Sequence, residues 1–170
     1  MAFKPIFSGR TAGERGNITV ELALVLPLVL FIIAGVLDLG MLFWEKHILT
    51  NATREGARAA IKAVDTGSQV VPEKTKDQVR QVVQDYLNRF NIKNVDGSDL
   101  VLTGSNFLYS WTANASGTMV TVALQQIPYR MMLLPNFAAF FGSARQPGDE
   151  AFYLGASTLM AAEWVTPPSP

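Results

Sequence analysis

The sequence predicts an α+β protein carried on a long N-terminal helix, and three observations lead there. A run without charged residues extends from Leu22 to Leu37 and leads into a further helical pattern. A second stretch, Pro72 to Phe90, sets Val79, Val82, Val83, Tyr86, Leu87 and Phe90 on one apolar stripe. After "NVDGSD" the apolar period falls toward two, which is the spacing of strands.

The length of 170 residues accommodates one domain with attachments. Charged residues make up 16% of the chain, against roughly 25% in an average soluble domain. The surplus apolarity is concentrated between Ile18 and Trp44. A formal net charge of zero and no long Lys/Arg run leave no basic footprint, so no nucleic acid is expected as a partner. The absence of cysteine excludes a disulfide framework and a thiolate metal centre.

Ile18 to Leu37 amounts to about 20 residues, or roughly 30 Å of helix, the thickness of a hydrocarbon core. Extension to Trp44 gives a longer, tilted span that takes in Asp38 and sets Trp44 in the interfacial aromatic belt. A soluble core helix is the first alternative, but a domain this small rarely needs so long an apolar run. A secretory signal peptide is the second. Lys4, Arg10 and Arg15 supply its basic start, but the apolar run is too long and no small-x-small site follows. Three bases against Glu14 ahead of the span favour a cytoplasmic N-terminus. Pro27 can soften the helix, and Gly35 and Gly40 allow another helix to approach closely.

Helical spacing of Ile48, Leu49, Ala52, Gly56, Ala59, Ala60 and Ala63 carries the helix on to about Val64, with a face small enough for a sheet to pack against. Arg54, Arg58 and Lys62 form a basic stripe, with Glu55 spaced to pair with Arg58. Such a stripe reads first as a solvated face. "DTGSQVVP" is a break, after which Pro72 and Glu73 suit the first turn of the second helix. Leu100 and Leu102 fit a first strand and Phe107 to Thr112 a second, with a turn at "ANASG". Met119 to Leu124 alternate in a third strand, stopped by Pro128, and Ala151 to Glu163 form the last. Short connections predict a small antiparallel sheet. "PYRMMLLPNFAAFFGS", residues 128 to 143, is apolar but too short and too broken by Pro135 to span. It reads as a flap over the core or as a patch for a partner or a membrane surface.

No nucleophile elbow, P-loop, zincin helix or dinucleotide fingerprint is present. His47, the single histidine, falls just past the span, and Asp77 and Asp85 fall on the polar side of the second helix. The expectation is a protein that is not an enzyme, with no cofactor and no metal.

"RGNITVELALVLP", "GVLDLG" and "TNATREGARAA", in this order, with "YLGASTLMAAE" near the end, resemble the TadE-like family, the minor pilins or pseudopilins of tight-adherence (type IVc, Flp) pili. The similarity is densest from Arg15 to Ala60. Glycine, four residues and then glutamate at the head of an apolar helix is also the general prepilin pattern. The resemblance implies a pilin-like fold, cleavage between Gly16 and Asn17 by a prepilin peptidase, and Glu21 as fifth residue of the mature chain. It further implies that Glu21 meets the new α-amine of Asn17 on a neighbouring subunit. Otherwise Glu21 lies solvated in the headgroup layer, favoured there by the helix dipole. Asp38 is interfacial if the span ends at Leu37, and requires an intramembrane polar contact if it reaches Trp44. The likeness at "REGAR" makes Arg54, Glu55 and Arg58 candidates for partner contact.

The implied organisation is a cytoplasmic leader (1–16), a transmembrane helix (17–44), a stalk (45–66), an extracytoplasmic α+β domain (67–165) and a disordered tail (166–170). The implied surroundings are the bacterial inner membrane, the prepilin peptidase, other pilin or pseudopilin subunits, and the assembly platform with its ATPase. The rival expectation is an uncleaved bitopic protein that displays an extracytoplasmic binding module.

Overall fold

The computed structural model describes residues 12–114, 117–134 and 151–164, with residues 12–17 and 151 as backbone only. Helix α1, Ala12–Ile61, holds 50 residues and runs through Pro27 without a break, a length of about 75 Å. Every residue from Ile18 to Ile33 is exposed except half-buried Pro27. From Ala34 onward one face becomes buried, with Asp38, Ile48, Leu49, Ala52, Gly56, Ala57, Ala59 and Ala60 turned inward. The helix thus divides into a bare apolar shaft and a segment built into a domain.

α1 stops at Ile61, short of the expected Val64. Ala63–Asp65 (β1) instead pairs antiparallel with Val70–Pro72 (β2), Val64 facing Val71. The β-branched valines suit extended backbone, and Gly67, at φ +80°, provides the left-handed turn between the strands. Pro72 therefore closes a strand and Glu73 follows it; neither lies in the first turn of the second helix. Helix α2, Lys76–Arg89, is started by Thr75 through a capping box, in which Gln78 N–H donates to Thr75 Oγ1 and Thr75 N–H donates to Gln78 Oε1. It ends on Asn91, at φ 54°, whose N–H donates to Asn88 C=O while Ile92 N–H reaches Leu87 C=O. That is a Schellman stop with an asparagine in the left-handed position.

The larger sheet has the order β3-β4-β5 and is antiparallel throughout. Its strands are Phe107–Asn114 (β3), Gly117–Arg130 (β4) and Ala151–Ala161 (β5). The expected stop at Pro128 does not occur; β4 continues through it to Arg130. β3 pairing ends at Phe107 opposite Leu124, so among the described residues Pro128 has a single neighbouring strand, where a missing N–H is tolerated. A bulge between Leu124 and Ile127 holds Gln126 at φ 55°. Across from it, Gly155 leaves room that a Cβ would lose, since that atom would come 3.0 Å from Leu124 C=O.

Leu100 and Leu102 are buried but form no strand, contrary to expectation. The Gln84 side chain takes the place of a pairing partner: its Nε2 donates to Leu100 C=O at 2.7 Å and its Oε1 accepts from Leu102 N–H at 2.7 Å. The core gathers the small-residue face of α1, the Val79–Val83–Leu87 stripe of α2 and the inward side of the sheet, including Phe107, Val120, Val122 and Leu124. Trp164 closes it beyond β5, with its indole N–H donating to Ala60 C=O at 2.9 Å.

Candidate functional site

Two of the candidate positions lie along α1: the shaft that carries Glu21 and the junction at Asp38. The α1 segment from Ile18 is long and apolar enough to cross a bilayer. Glu21 lies on this shaft, exposed, between Val20 and Leu22. It is the single charged residue between Ile18 and Leu37. Gly16 and Asn17 fall within the backbone range of the same helix, Asn17 one turn ahead of Glu21. Residues 1–11 of the expected leader lie outside the described residues, as does the tail at 166–170.

Asp38 is 2% exposed and finds its partners in the same chain. Its carboxylate accepts from three consecutive backbone amides just beyond β4: Met132 N–H at 3.2 Å, Leu133 N–H at 3.1 and 3.0 Å to the two oxygens, and Leu134 N–H at 2.7 Å. The Asp38 carbonyl accepts from Tyr129 O–H at 3.0 Å. Three consecutive N–H groups beyond the end of β4 are thereby satisfied by one carboxylate, a strong acceptor. One turn back, Leu134 lies over Gly35, where a Cβ would meet its Cδ2 at 3.8 Å, an ordinary contact distance. Burial, then the nearby Asp38 and Glu45 carboxylates, push the Tyr129 phenol above its usual range. Of the apolar stretch 128–143, residues 128–134 therefore form the end of β4 and the loop docked on Asp38; residues 135–143 lie outside the described residues.

Beyond the junction the helix carries two further contacts that its sequence did not announce. Lys46 donates through Nζ to Gly155 C=O, at the bulge, and Thr53 and Thr158 share a hydroxyl hydrogen bond at 2.9 Å. Together they run β5 alongside α1 in the same direction. Glu45 lies half-buried in a cleft of about 650 Å³ with Trp44, Lys93, Tyr129 and Arg130. Desolvation raises its carboxyl to about 7. A carboxylate next to an apolar span gives no sequence sign of whether a loop will cover it, so Glu45 was not legible beforehand.

The "REGAR" segment splits by face. Arg54, Glu55 and Arg58 are exposed, Glu55 and Arg58 approaching to 3.9 Å across the helix surface. Gly56 and Ala57 point inward, and a Cβ on Gly56 would collide with Val83 Cγ2 and come 3.2 Å from Val122 Cγ1. His47 is exposed, Asp77 pairs with Arg80 at 3.0 Å, and Asp85 accepts from Gln81 at 2.8 Å. Among the described residues no three His, Asp or Glu side chains gather as a metal site would require.

Residues 16–58 match the family model of the TadE-like protein. No curated protein and no solved structure matches the chain. The TadE-like segment takes in Glu21, Asp38, Glu45 and the Arg54–Arg58 stripe, and it ends before the first strand. It therefore coincides with the shaft, the junction and most of the domain-embedded part of α1. Inside it Gly56 packs against α2 and β4 and Ala57 is buried in the core, whereas Glu21, Arg54, Glu55 and Arg58 stay on the surface.

Proposed function

We propose that this chain is a membrane-anchored minor pilin, or pseudopilin, that takes part in assembling or initiating tight-adherence pili and is matured by prepilin peptidase cleavage after Gly16. One observation carries the reading: the TadE-like match falls on a helix whose Ile18–Ile33 section is exposed and, apart from Thr19 and the charged Glu21, apolar around its circumference. A lone carboxylate on a lipid-facing helix calls for a partner. Cleavage after Gly16 creates one, because the new α-amine of Asn17 is positive near neutral pH. The attraction falls off steeply with distance in a low dielectric, so Glu21 of one subunit and Asn17 of the next fix the axial register between protomers.

In this reading residues 1–16 are the leader, 17–44 the transmembrane helix, 45–66 the stalk, 67–165 the extracytoplasmic domain and 166–170 the tail. The chain sits in the inner membrane with its N-terminus cytoplasmic. The prepilin peptidase, other pilin or pseudopilin subunits and the assembly platform with its ATPase act on it or beside it. Arg54, Glu55 and Arg58 face outward for partner contact, and the protein's role is structural.

The test is the mass of the mature N-terminus in piliated cells, together with Glu21→Gln. Processing yields a chain that begins at Asn17, and the variant inserts and is cleaved but assembles few pili. An intact Met1 in cells with an active prepilin peptidase would favour the uncleaved bitopic anchor with a binding module. Normal piliation by Glu21→Gln would remove the charge-pair mechanism.

A further inference from the structure

The bare part of α1 is too short for a bilayer. Ile18 to Ile33 supplies 16 residues, all exposed but half-buried Pro27, which is about 24 Å of helix against a hydrocarbon core of about 30 Å. In the unassembled subunit, where Glu21 has no neighbouring amine and rests at the cytoplasmic headgroups, the hydrocarbon starts near Leu22 and its core reaches the level of about Met41, farther still if the helix tilts. At that level α1 is no longer bare: the loop after β4 is docked on Asp38.

The surface at this level is largely apolar on both sides, with exposed Arg130 at its edge, on a stem long enough to carry its guanidinium up to the headgroups. On the helix, Val36, Leu37, Leu39, Met41, Phe43 and Trp44 are exposed. On the domain, Met132 is 66% and Leu133 42% exposed, and Phe152, which faces Tyr129 across the β4–β5 ladder, is 49% exposed. Irregular backbone is excluded from hydrocarbon because its polar groups go unpaired. Here the amides of Met132, Leu133 and Leu134 are paired by Asp38, and Asp38 itself is buried beneath them. The loop presents methionine and leucine side chains outward and keeps its N–H groups inward.

We propose that the base of the globular domain is itself embedded in the bilayer, with Met132, Leu133 and Phe152 among the acyl chains of the leaflet nearest the domain and Trp44 and Tyr153 at the headgroup level above them. The occupant of this collar is lipid, continuous with the lipid around the shaft. Asp38 is the residue that makes such depth affordable. The inference rests on the membrane-spanning reading of α1 but needs neither cleavage nor pilus assembly.

The chain has no cysteine, so single-cysteine variants of the full chain can be labelled cleanly with an environment-sensitive fluorophore. Leu26→Cys marks the shaft, Met132→Cys and Leu133→Cys the collar, and Ser110→Cys the exposed side of β3 far from the junction. The labelled proteins are reconstituted at high dilution into phosphatidylethanolamine–phosphatidylglycerol vesicles that carry acyl-chain spin labels at shallow or deep positions. Probes at 132 and 133 should emit to the blue of the probe at 110 and lose emission to the shallow quencher, while the probe at 26 responds to the deep one. Emission at 132 and 133 as water-like as at 110, with 26 quenched, would overturn the collar and leave the span standing. Absence of quenching at 26 as well would bring down the span and the collar together. A blue shift at 132 that lipid does not quench and that fades on dilution would assign the patch to a second copy and overturn the lipid assignment.

Discussion

Asp38→Asn tests the junction most directly, because it keeps the side chain's size and removes its charge. In the native chain two oxygens receive three amides, at 3.2, 3.1 and 3.0, and 2.7 Å. Asparagine retains one acceptor oxygen and turns an NH2 group toward at least one of the same N–H donors. A hydrogen bond to a charged group contributes roughly 1.5–3 kcal/mol, and a buried donor left unpaired costs about 1–3 kcal/mol. The effects are not additive, so a net loss of about 3 kcal/mol is expected, or ~100-fold in the docking equilibrium of the loop. Tyr129 O–H still reaches the Asp38 backbone carbonyl in the variant, which confines the damage to residues 131–134. Amide hydrogen exchange on the full chain in lipid nanodiscs reads this locally. Residues 132–134 should exchange ~100-fold faster, while Val79–Leu87 in α2 keeps its protection. Unchanged exchange at 132–134 would refute the anchoring role of the carboxylate. Equal acceleration across α2 and the sheet would show that Asp38 holds up the whole domain rather than its base.

Other perturbations follow from neighbouring contacts. Gly56→Ala places a methyl against two buried valines; overpacking of about 1–3 kcal/mol outweighs the ~1 kcal/mol gained in helix propensity, so the denaturation midpoint should fall, and Val83→Ala in the same chain should recover part of the loss. For Glu45 the folded-state carboxyl lies near 7 instead of the ordinary 4.5, so the folded form binds the extra proton between those values. Stability is then highest below the ordinary carboxylate range, declines as pH rises toward 7 and levels off above it. Glu45→Gln should flatten this decline and leave the domain about 1–2 kcal/mol more stable at pH 8, as denaturation at pH 5 and pH 8 would show. Tyr109 O–H is buried and has no hydrogen-bond partner among the described residues. Tyr109→Phe should therefore be neutral or raise stability by up to about 1 kcal/mol, read from the same denaturation curves.

The elements that could be read along the chain are those whose signal is local and periodic. The apolar run from Ile18, the stripe of α2 and the alternation around Val120 are statements about one segment's own faces, so they predict an α+β fold and a helix able to cross a bilayer. Glycine and proline were read as punctuation: Gly67 does turn the chain, in a β1–β2 hairpin, but Pro128 stands inside β4, where no third strand lies beside it among the described residues. Leu100 and Leu102 read as a strand from their spacing, but no strand is opposite them among the described residues and a glutamine side chain supplies the hydrogen bonds.

The same division holds for the functional residues. Gly16, Asn17 and Glu21 belong to a linear pattern, so their grouping was available from the sequence alone, and the processing and pairing proposed for them need nothing beyond it. The partner of Asp38 was not. It lies more than ninety residues away, in backbone amides that carry no side-chain identity, and the fold alone brings them to the carboxylate. Burial of Glu45 and closure of the core by Trp164 are of the same kind. Hydrophobic periodicity is a property of neighbours in sequence, whereas pairing of a buried charge depends on which distant backbone arrives beside it, and that is decided when β4 and β5 pack along α1.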